Sequence, residues 1–555
     1  MIRNLLTTFF FAFILHLHSV AQSNPRYLVL YKDKANSPFS VDKPEDFLSQ
    51  RSISRRTRQN IAVTTNDLPV NPAYIAAIKQ TGASVIYSSR WFNGSLVEAS
   101  TEQLSKIKQL AFYKGLELDL PIANLTSQTP GIERVENINN KLGTTEELDY
   151  GRMNDQLALM EVPVLHQQGI HGENMIIAIL DNGFLNGDQV PFLKSVYDEK
   201  RVIDTHDFVA RDGNVYNDGF HGLNVLSTIA AYQPATMIGI AFKASFALYI
   251  TENNSGESPY EEITWLLGAE RADSLGADVI NSSLGYTTFE GEFNTPAYNH
   301  TYTDMDGKTT IVSRAARFAA RKGIIVANSA GNDGNNAAWQ YIAAPADVDS
   351  VLTVGATNYD KSYASFSSIG PNSAGQQKPD IAAVGSGTVV GNPSGNAATS
   401  NGTSFSSPQI AGLCAILWQA YPNLTAQQII SVLKKSGNQA ANPDNRLGFG
   451  VPSVTAAEKI ISREFVPLGV ENDVLGSITL FPNPAEQNIT LNVPQSLIGK
   501  TALLNVYSSN GKLFSQTDAT LTAKTDLNTN ALTTGLYILK VKVGGTERSL
   551  KFIRQ

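Results

Sequence analysis

Three short runs carry the residue types that nucleophilic catalysis needs. NGTSFSSPQIAG, Asn401 to Gly412, sets Thr403, Ser404, Ser406 and Ser407 ahead of an apolar stretch. Serine and threonine cap free backbone N–H groups and proline suits a first helical turn, so the run reads as a helix start. A serine held at the positive end of a buried helix is equally placed to be a nucleophile. A hydroxyl attacks poorly until a base takes its proton. With His16 and His18 in a leader, the candidate bases are His166, His171, His206, His221 and His300. His221 opens HGLNVLSTIAA, a helix-like run with apolar Leu223, Val225, Leu226, Ile229 and Ala230. Asp181 ends the strand-like MIIAILD ahead of Asn182-Gly183. A carboxylate there would accept the Nδ1–H of His221 and stabilise the imidazolium formed as Ser404 loses its proton. Taken singly, a structural histidine and a turn-capping aspartate are the plainer readings. DNGFLNGDQ lacks the alternating oxygen ligands of an EF-hand loop.

These residues need a scaffold that ends strands near one another. From about residue 150 to 463, short β-rich apolar runs alternate with helix-like pieces such as VSRAARFAARKG. MIIAILD, ADVINSSLG, GIIVANSAGND and SVLTVGAT each end in small polar residues. Runs of this kind suit a parallel sheet buried on both faces. The expected fold is α/β, with helices on both faces of the sheet. Sites in such sheets form at the carboxyl ends of the strands, where Asp181, Ser283 and Asn332 fall.

The chain order Asp, His, Ser is that of the subtilisin triad. On AILDNGF, HGLNVLSTIAA and NGTSFSSPQIAG, joined by VINSSLG, NSAGNDG, YASFSSIGP and KPDIAAVG, residues 150 to 460 resemble the subtilase family of serine proteases. The resemblance implies a triad of Asp181, His221 and Ser404, with Asn332 in the oxyanion hole. It implies that Ser283, Leu284 and Gly285 pair with an extended peptide along an open strand edge. No cofactor is required on this reading, and structural calcium is an option. Ser404 is then the nucleophile, Gly402 and Thr403 shape its approach, and Ser406, Ser407 and Pro408 start the helix behind it. Leu223, Asn224 and Ser227 depart from the commoner threonine, histidine and glycine, and Phe405 and Ser406 from methionine and alanine. Tyr286 to Thr310 reads as a loop shaping the cleft. In it Asp304 and Asp306 form a surface turn, with a cation site as the alternative.

The flanks carry the rest. At 555 residues the chain exceeds one compact core, and 42% hydrophobic with 17% charged residues describes ordinary globular protein. A formal charge of −7 argues against a nucleic-acid partner. Residues 1–21, with basic Arg3, an apolar stretch from Leu5 to Leu15 and small Ser19 and Ala21, have the layout of a cleaved secretory signal. They are short for a membrane anchor, and no later run is long enough. The lone Cys414, in AGLCAILW, cannot form an internal disulfide and reads as a core residue.

Residues 23–125 read as a small α+β domain: a strand at RYLVLY, a helix from Asn71 to Gly82, two strands about Asn93-Gly94, and a helix at TEQLSKIKQL. They resemble the subtilase inhibitor prodomain, with its match at WFNGSLVEASTEQLSKI. Within them the basic run RSISRRTRQ, with Arg55 and Arg56, reads as a solvated loop or helix face, with a processing site as the alternative. A linker, 126–149, leads to the peptidase-like region, 150–463, and a second linker, 464–476, follows. Residues 477–555 alternate apolar and polar positions as a small β-sandwich. FPNPAEQNITL, YSSNGKL and TTGLYILKV there resemble the sorting domain of type IX secretion substrates; a carbohydrate- or substrate-binding sandwich is the alternative. The whole describes a secreted or surface endopeptidase made as a zymogen. Its partners are protein or peptide substrates, its own prodomain and an outer-membrane secretion machinery. The rival readings are an inactive subtilisin-like binding protein and a serine esterase, whose G-x-S-x-G elbow GTSFS does not match.

Overall fold

The computed structural model describes residues 24–123, 148–465, 475, 478–509, 511–544 and 546–555. The expected leader, nearly all of the first linker and most of the second lie outside these. The chain divides into two units, 1–460 and 461–555.

In the first unit, residues 24–123 form a four-stranded antiparallel sheet in the order β2-β3-β1-β4. Its elements follow the chain as β1 (Arg26–Tyr31), α1 (Gln50–Arg58), α2 (Pro72–Gln80), β2 (Ser84–Ser89), β3 (Gly94–Glu98), α3 (Thr101–Lys108) and β4 (Tyr113–Leu116). The Asn71 side chain caps α2 and Ser100 caps α3, as their sequence signals predict. Strand alternation gives this sheet two buried faces. Val29, Tyr31, Val97 and Ile107 pack in its own core. Leu28, Trp91 and Leu96 instead join the core of the peptidase-like region.

That region is built on a seven-stranded sheet, all parallel, in the order β11-β10-β9-β8-β5-β7-β6. Here β5 is Ile176–Asp181, β6 Val202–Asp207, β7 Ser245–Ile250, β8 Val279–Ser282, β9 Ile325–Ser329, β10 Leu352–Thr357 and β11 Ile381–Val384. Every residue of β5, β8, β9, β10 and β11 is buried, so both faces need helices. The helices are α4 (His221–Ala230), α5 (Pro259–Leu275), α6 (Ile311–Arg321), α7 (Thr403–Ala420) and α8 (Ala426–Lys435). Ile176, Ala178 and Leu180 pack with α5 and α6, and α4 and α7 pack against each other and the sheet. A hairpin of β12 (Thr388–Gly391) and β13 (Ala397–Ser400) precedes α7.

The solvated reading of RSISRRTRQ is corrected here. The run is helical, but Arg55 and Arg56 are buried, with guanidinium groups on the Asp273 carboxylate of α5 at 2.5 and 2.7 Å. Composition alone hides this, because the partner lies 217 residues beyond Arg56.

The second unit holds a three-stranded and a four-stranded antiparallel sheet. Alternate residues such as Ile489, Leu491, Ala502, Leu504, Leu539 and Val541 share one core. No helix among the described residues is long and apolar enough to cross a membrane.

Candidate functional site

Asp181 is the last residue of β5, fully buried, and the next strand β7 continues past it as Thr251. Its Oδ1 accepts from the Asn182 N–H at 2.8 Å and from His221 Nδ1 at 2.7 Å. His221 is the first residue of α4, and its own N–H donates to Asn182 Oδ1 at 3.1 Å. Asn182 thus caps α4 from outside the helix while its main chain steadies the aspartate. The side chain of His221 is 31% exposed. Burial by itself lowers the pKa of the ring, but the charge and hydrogen bond of Asp181 outweigh it and hold the value above the ordinary one.

Ser404 is the second residue of α7 and is nearly buried. Its N–H belongs to the first helical turn, whose donors have no intrahelical acceptor. Its Oγ donates to the Ser283 carbonyl at 3.2 Å rather than to His221. Among the described residues, then, the hydrogen-bonded chain is closed from Asp181 to His221 and open from His221 to Ser404. The two sides are nevertheless adjacent, since the His221 ring lies 5.5 Å from that of Phe405.

The start of α7 differs from the expected capping pattern. The helix begins at Thr403, after Gly402 with φ 149°, which offers no side chain to cap it. Pro408 lies inside the helix, not in its first turn. The hydroxyls donate instead: Ser406 to the Thr403 carbonyl at 2.9 Å and Ser407 to Asn281 Oδ1 at 3.0 Å. Of the first-turn N–H groups, that of Thr403 is taken by Asn332 Oδ1 and that of Phe405 meets the Gly402 carbonyl at 3.1 Å, so the Ser404 N–H is the one kept for a developing negative charge.

Asn332 lies just past β9 and is exposed. Its Oδ1 accepts from the Thr403 N–H at 2.9 Å and the Thr403 hydroxyl at 3.0 Å. The same hydroxyl also meets Gly331. This double grip turns the amide so that its Nδ2, which donates to no described residue, faces away from Thr403. Thr403 as the group that orients Asn332 was not legible beforehand; the only hint was its place beside the serine.

Ser283, Leu284 and Gly285 continue β8, whose neighbours β5 and β9 end level with Ser283, at Asp181 and Ser329. β8 is paired on both sides, so the exposed backbone is a strand extension and not a sheet edge. The Ser283 and Leu284 carbonyls are engaged, by Ser404 and by the Asn328 side chain at 3.0 Å. The Ser283 hydroxyl donates to the Ser404 carbonyl at 2.8 Å, and Gly285 is exposed.

The departures Asn224 and Ser227 act together. With the Asn224 amide assigned so that its nitrogen faces the two carbonyls beside it, it donates to the Gly391 carbonyl at 2.8 Å, and the Gly391 N–H donates to Ser227 Oγ at 2.7 Å. They tie the histidine helix to the hairpin that runs into Ser404.

Glu252, Glu257 and Glu261 are the described carboxylates that come together closely enough to hold a cation. Burial, with repulsion among the three carboxylates, pushes Glu252 and Glu261 above the ordinary carboxylate range. Asp304 and Asp306 spend their oxygens on nearby N–H and hydroxyl groups, as a surface turn does. Cys414 is buried, as expected of a core residue. The segment from Tyr286 to Thr310 is anchored at its start and midway along its path. Tyr286 donates to Glu252 at 2.6 Å and His300 Nε2 meets Glu262 at 2.8 Å.

Comparison with known proteins gives three matches along the chain. Residues 172–450 match the subtilase family, peptidase S8. Residues 26–134 match the peptidase S8 propeptide domain of Bacteroidota, and 479–555 the secretion system C-terminal sorting domain. The chain is 31% identical over 306 residues to subtilisin from Bacillus pumilus, covering 54% of this chain and 97% of that one. It is 27% identical over 390 residues to subtilisin NAT from Bacillus subtilis subsp. natto, covering 69% and 90%. A solved structure of MycP1 from Mycobacterium smegmatis aligns with a TM-score of 0.44 at 22% identity, covering 57% of this chain and 86% of that one.

Proposed function

The chain belongs to the subtilase family of serine peptidases, and from that membership we propose a secreted endopeptidase, made as a zymogen, that works through Ser404, His221, Asp181 and Asn332. The observation that carries the assignment is the buried Asp181 bonded at 2.7 Å to a histidine whose ring packs against the residue after Ser404.

A peptide substrate lies extended along the Leu284–Gly285 backbone, its scissile carbonyl over the start of α7. The Ser404 hydroxyl turns from the Ser283 carbonyl to Nε2 of His221, a rotation about one side-chain bond. His221 takes the proton as Oγ attacks, and its Nδ1–H stays on Asp181, which stabilises the imidazolium. The oxygen that becomes negative is met by the Ser404 N–H and by Nδ2 of Asn332, already turned outward by Thr403. A side-chain donor of this kind contributes about 3–4 kcal/mol in a subtilisin, the system from which that magnitude is taken. His221 then passes its proton to the leaving amine, and water releases the acyl group by the same steps in reverse.

Residues 26–123 act as the inhibitory prodomain until they are cut away, and the leader and the C-terminal sandwich direct export to the surface or the medium. The sorting-domain match supports this destination. Hydrolysis of a chromogenic peptide by the secreted protein, with a burst equal to one turnover per enzyme, tests the assignment. Undiminished hydrolysis by a Ser404→Ala protein would overturn it.

A further inference from the structure

α6 has two unlike faces. Ala315, Ala316 and Ala319 pack in the core of the peptidase-like region. Arg314, Arg317 and Arg321 recur at spacings of three and four residues, so they share another face. That face looks toward the sheet of residues 24–123. Trp91 stacks on Phe318 at 5.7 Å, and the Arg314 guanidinium lies 4.6 Å from the centre of the Phe92 ring.

Between the two surfaces runs a cleft of about 290 Å³. Lys114 of β4 and Lys308, just before α6, line it together with Arg314, Arg317 and Arg321. Glu117 is the one carboxylate lining it among the described residues, and Arg314 already holds it. Five cations against one anion leave the cleft at +4, in a chain whose formal charge is −7.

Other cations at this boundary are matched. Arg55, Arg56 and Arg90 lie on Asp273, and Lys322 lies on Asp67 at 2.8 Å. By contrast, the side chains of Lys114, Lys308 and Arg321 make no ion pair or hydrogen bond among the described residues. Arg317 reaches only the Gly307 carbonyl, at 3.3 Å. Like charges facing one another across a contact repel, so the cleft works against the aromatic packing beside it. An anion seated there reverses the sign of that interaction. Guanidinium groups are planar forks of N–H donors that match phosphate oxygens, and the volume suits a small ligand.

We propose that this cleft binds a polyvalent phosphate anion of the pyrophosphate class, and that the anion ties residues 24–123 to α6. Lys114 grips it from one side; Lys308, Arg317 and Arg321 grip it from the other. A ligand held by both sides favours the docked arrangement by the ratio of its affinities for the docked and separated forms. The site is independent of peptide hydrolysis. That the anion delays release of residues 26–123 rests on their proposed role as a prodomain.

The test starts with the full chain carrying Ser404→Ala, which stays in one piece. Titration calorimetry measures pyrophosphate binding against sodium chloride of equal ionic strength. One site per chain is expected, weakened at least tenfold by Arg317→Gln/Arg321→Gln and several-fold by Lys114→Gln. None of these substitutions strands a carboxylate. No binding to the parent chain, or equal binding by the double arginine variant, would overturn the site. Capture by phosphatidylglycerol vesicles, or binding of hexaglutamate, without pyrophosphate binding would also overturn it. Undiminished affinity in Lys114→Gln would overturn the tie between the two surfaces. In the wild-type chain, saturating pyrophosphate should slow the appearance of peptidase activity at least threefold, with no slowing in the double arginine variant. Equal slowing in both, or none in either, would refute the delay. A wild-type chain that binds pyrophosphate at one site yet never becomes active supports the site and fails the peptidase reading instead.

Discussion

Replacing Asp181 by asparagine isolates what its charge contributes. Oδ1 of Asp181 accepts two hydrogen bonds, from the Asn182 N–H and from His221 Nδ1. An asparagine can keep both only with its oxygen in that place, because the amide NH2 turned the same way would face the Asn182 N–H. The Asn182 main chain therefore selects the orientation that preserves the working tautomer of His221, and the substitution removes charge alone. A carboxylate and an imidazolium about 4 Å apart attract by about 4 kcal/mol at an effective dielectric constant of about 20. The ring is 31% exposed, which trims the gain. The expected loss in kcat is about 10²–10³, since each 1.4 kcal/mol is about tenfold. The pH dependence moves as well. His221 must be neutral to act as base, so kcat/KM rises with pH through its pKa, which Asp181 holds above the usual histidine value. In the variant the acid limb shifts to lower pH. Initial rates on a chromogenic peptide from pH 4 to 9, normalised by active-site titration, measure both effects. A loss beyond about 10⁴ would mean that the tautomer was lost. An unmoved acid limb would mean that Asp181 does not set the basicity of His221. Either result refutes the reasoning.

Asn332→Ala should lower kcat by about 10²–10³ with little change in KM, the range known for a subtilisin. Equal losses from Thr403→Val would support the orienting role of that hydroxyl, and steady-state kinetics of both variants decides it. Asn224→Ala should lower kcat by about tenfold, because it loosens the histidine helix from the β12–β13 hairpin; a change confined to KM would contradict this. His300 is held above its ordinary pKa: burial opposes this, but Glu262 outweighs it. Its pairing is therefore fully stabilising below the unfolded value of about 6.5 and is lost as pH rises through the higher folded value. The thermal midpoint of a Ser404→Ala chain should accordingly fall over that window, and His300→Gln should flatten the fall. Cys414 is fully buried, and its thiol is pushed up in pKa by burial. A thiol-directed chromogenic reagent should find no thiol in the native protein and one after unfolding.

Much of this was legible in the chain because its strands are buried on both faces. IIAILD runs apolar up to its last residue, and the polar ends of IIAILD and VINS mark where the sheet stops. That is why Asp181, Ser283 and Asn332 could be assigned to one rim. Strand order was not legible, since β6 and β7 complete one side of the sheet through pairing that no local pattern encodes. Nor was the rotamer of Ser404, which depends on whether a carbonyl or an imidazole competes for one proton. The arginines of α1 misled for a different reason. A polar, basic run normally means solvent, and only a carboxylate buried far along the chain reverses that expectation. Asn224 and Ser227 stood out as departures, but their shared partner, the main chain of Gly391, has no side chain to announce it.

Catalysis requires one oxygen, Oγ of Ser404, to reach a base it does not touch in the resting arrangement. Treating the processed enzyme with a fluorophosphonate and mapping the adduct by peptide mass spectrometry tests this directly. The account predicts one phosphonyl group per active enzyme, on Ser404 and not on Ser406 or Ser407, formed fastest above the pKa of His221 and abolished by His221→Ala. An adduct elsewhere, or none on a protein that still hydrolyses peptides, would contradict it.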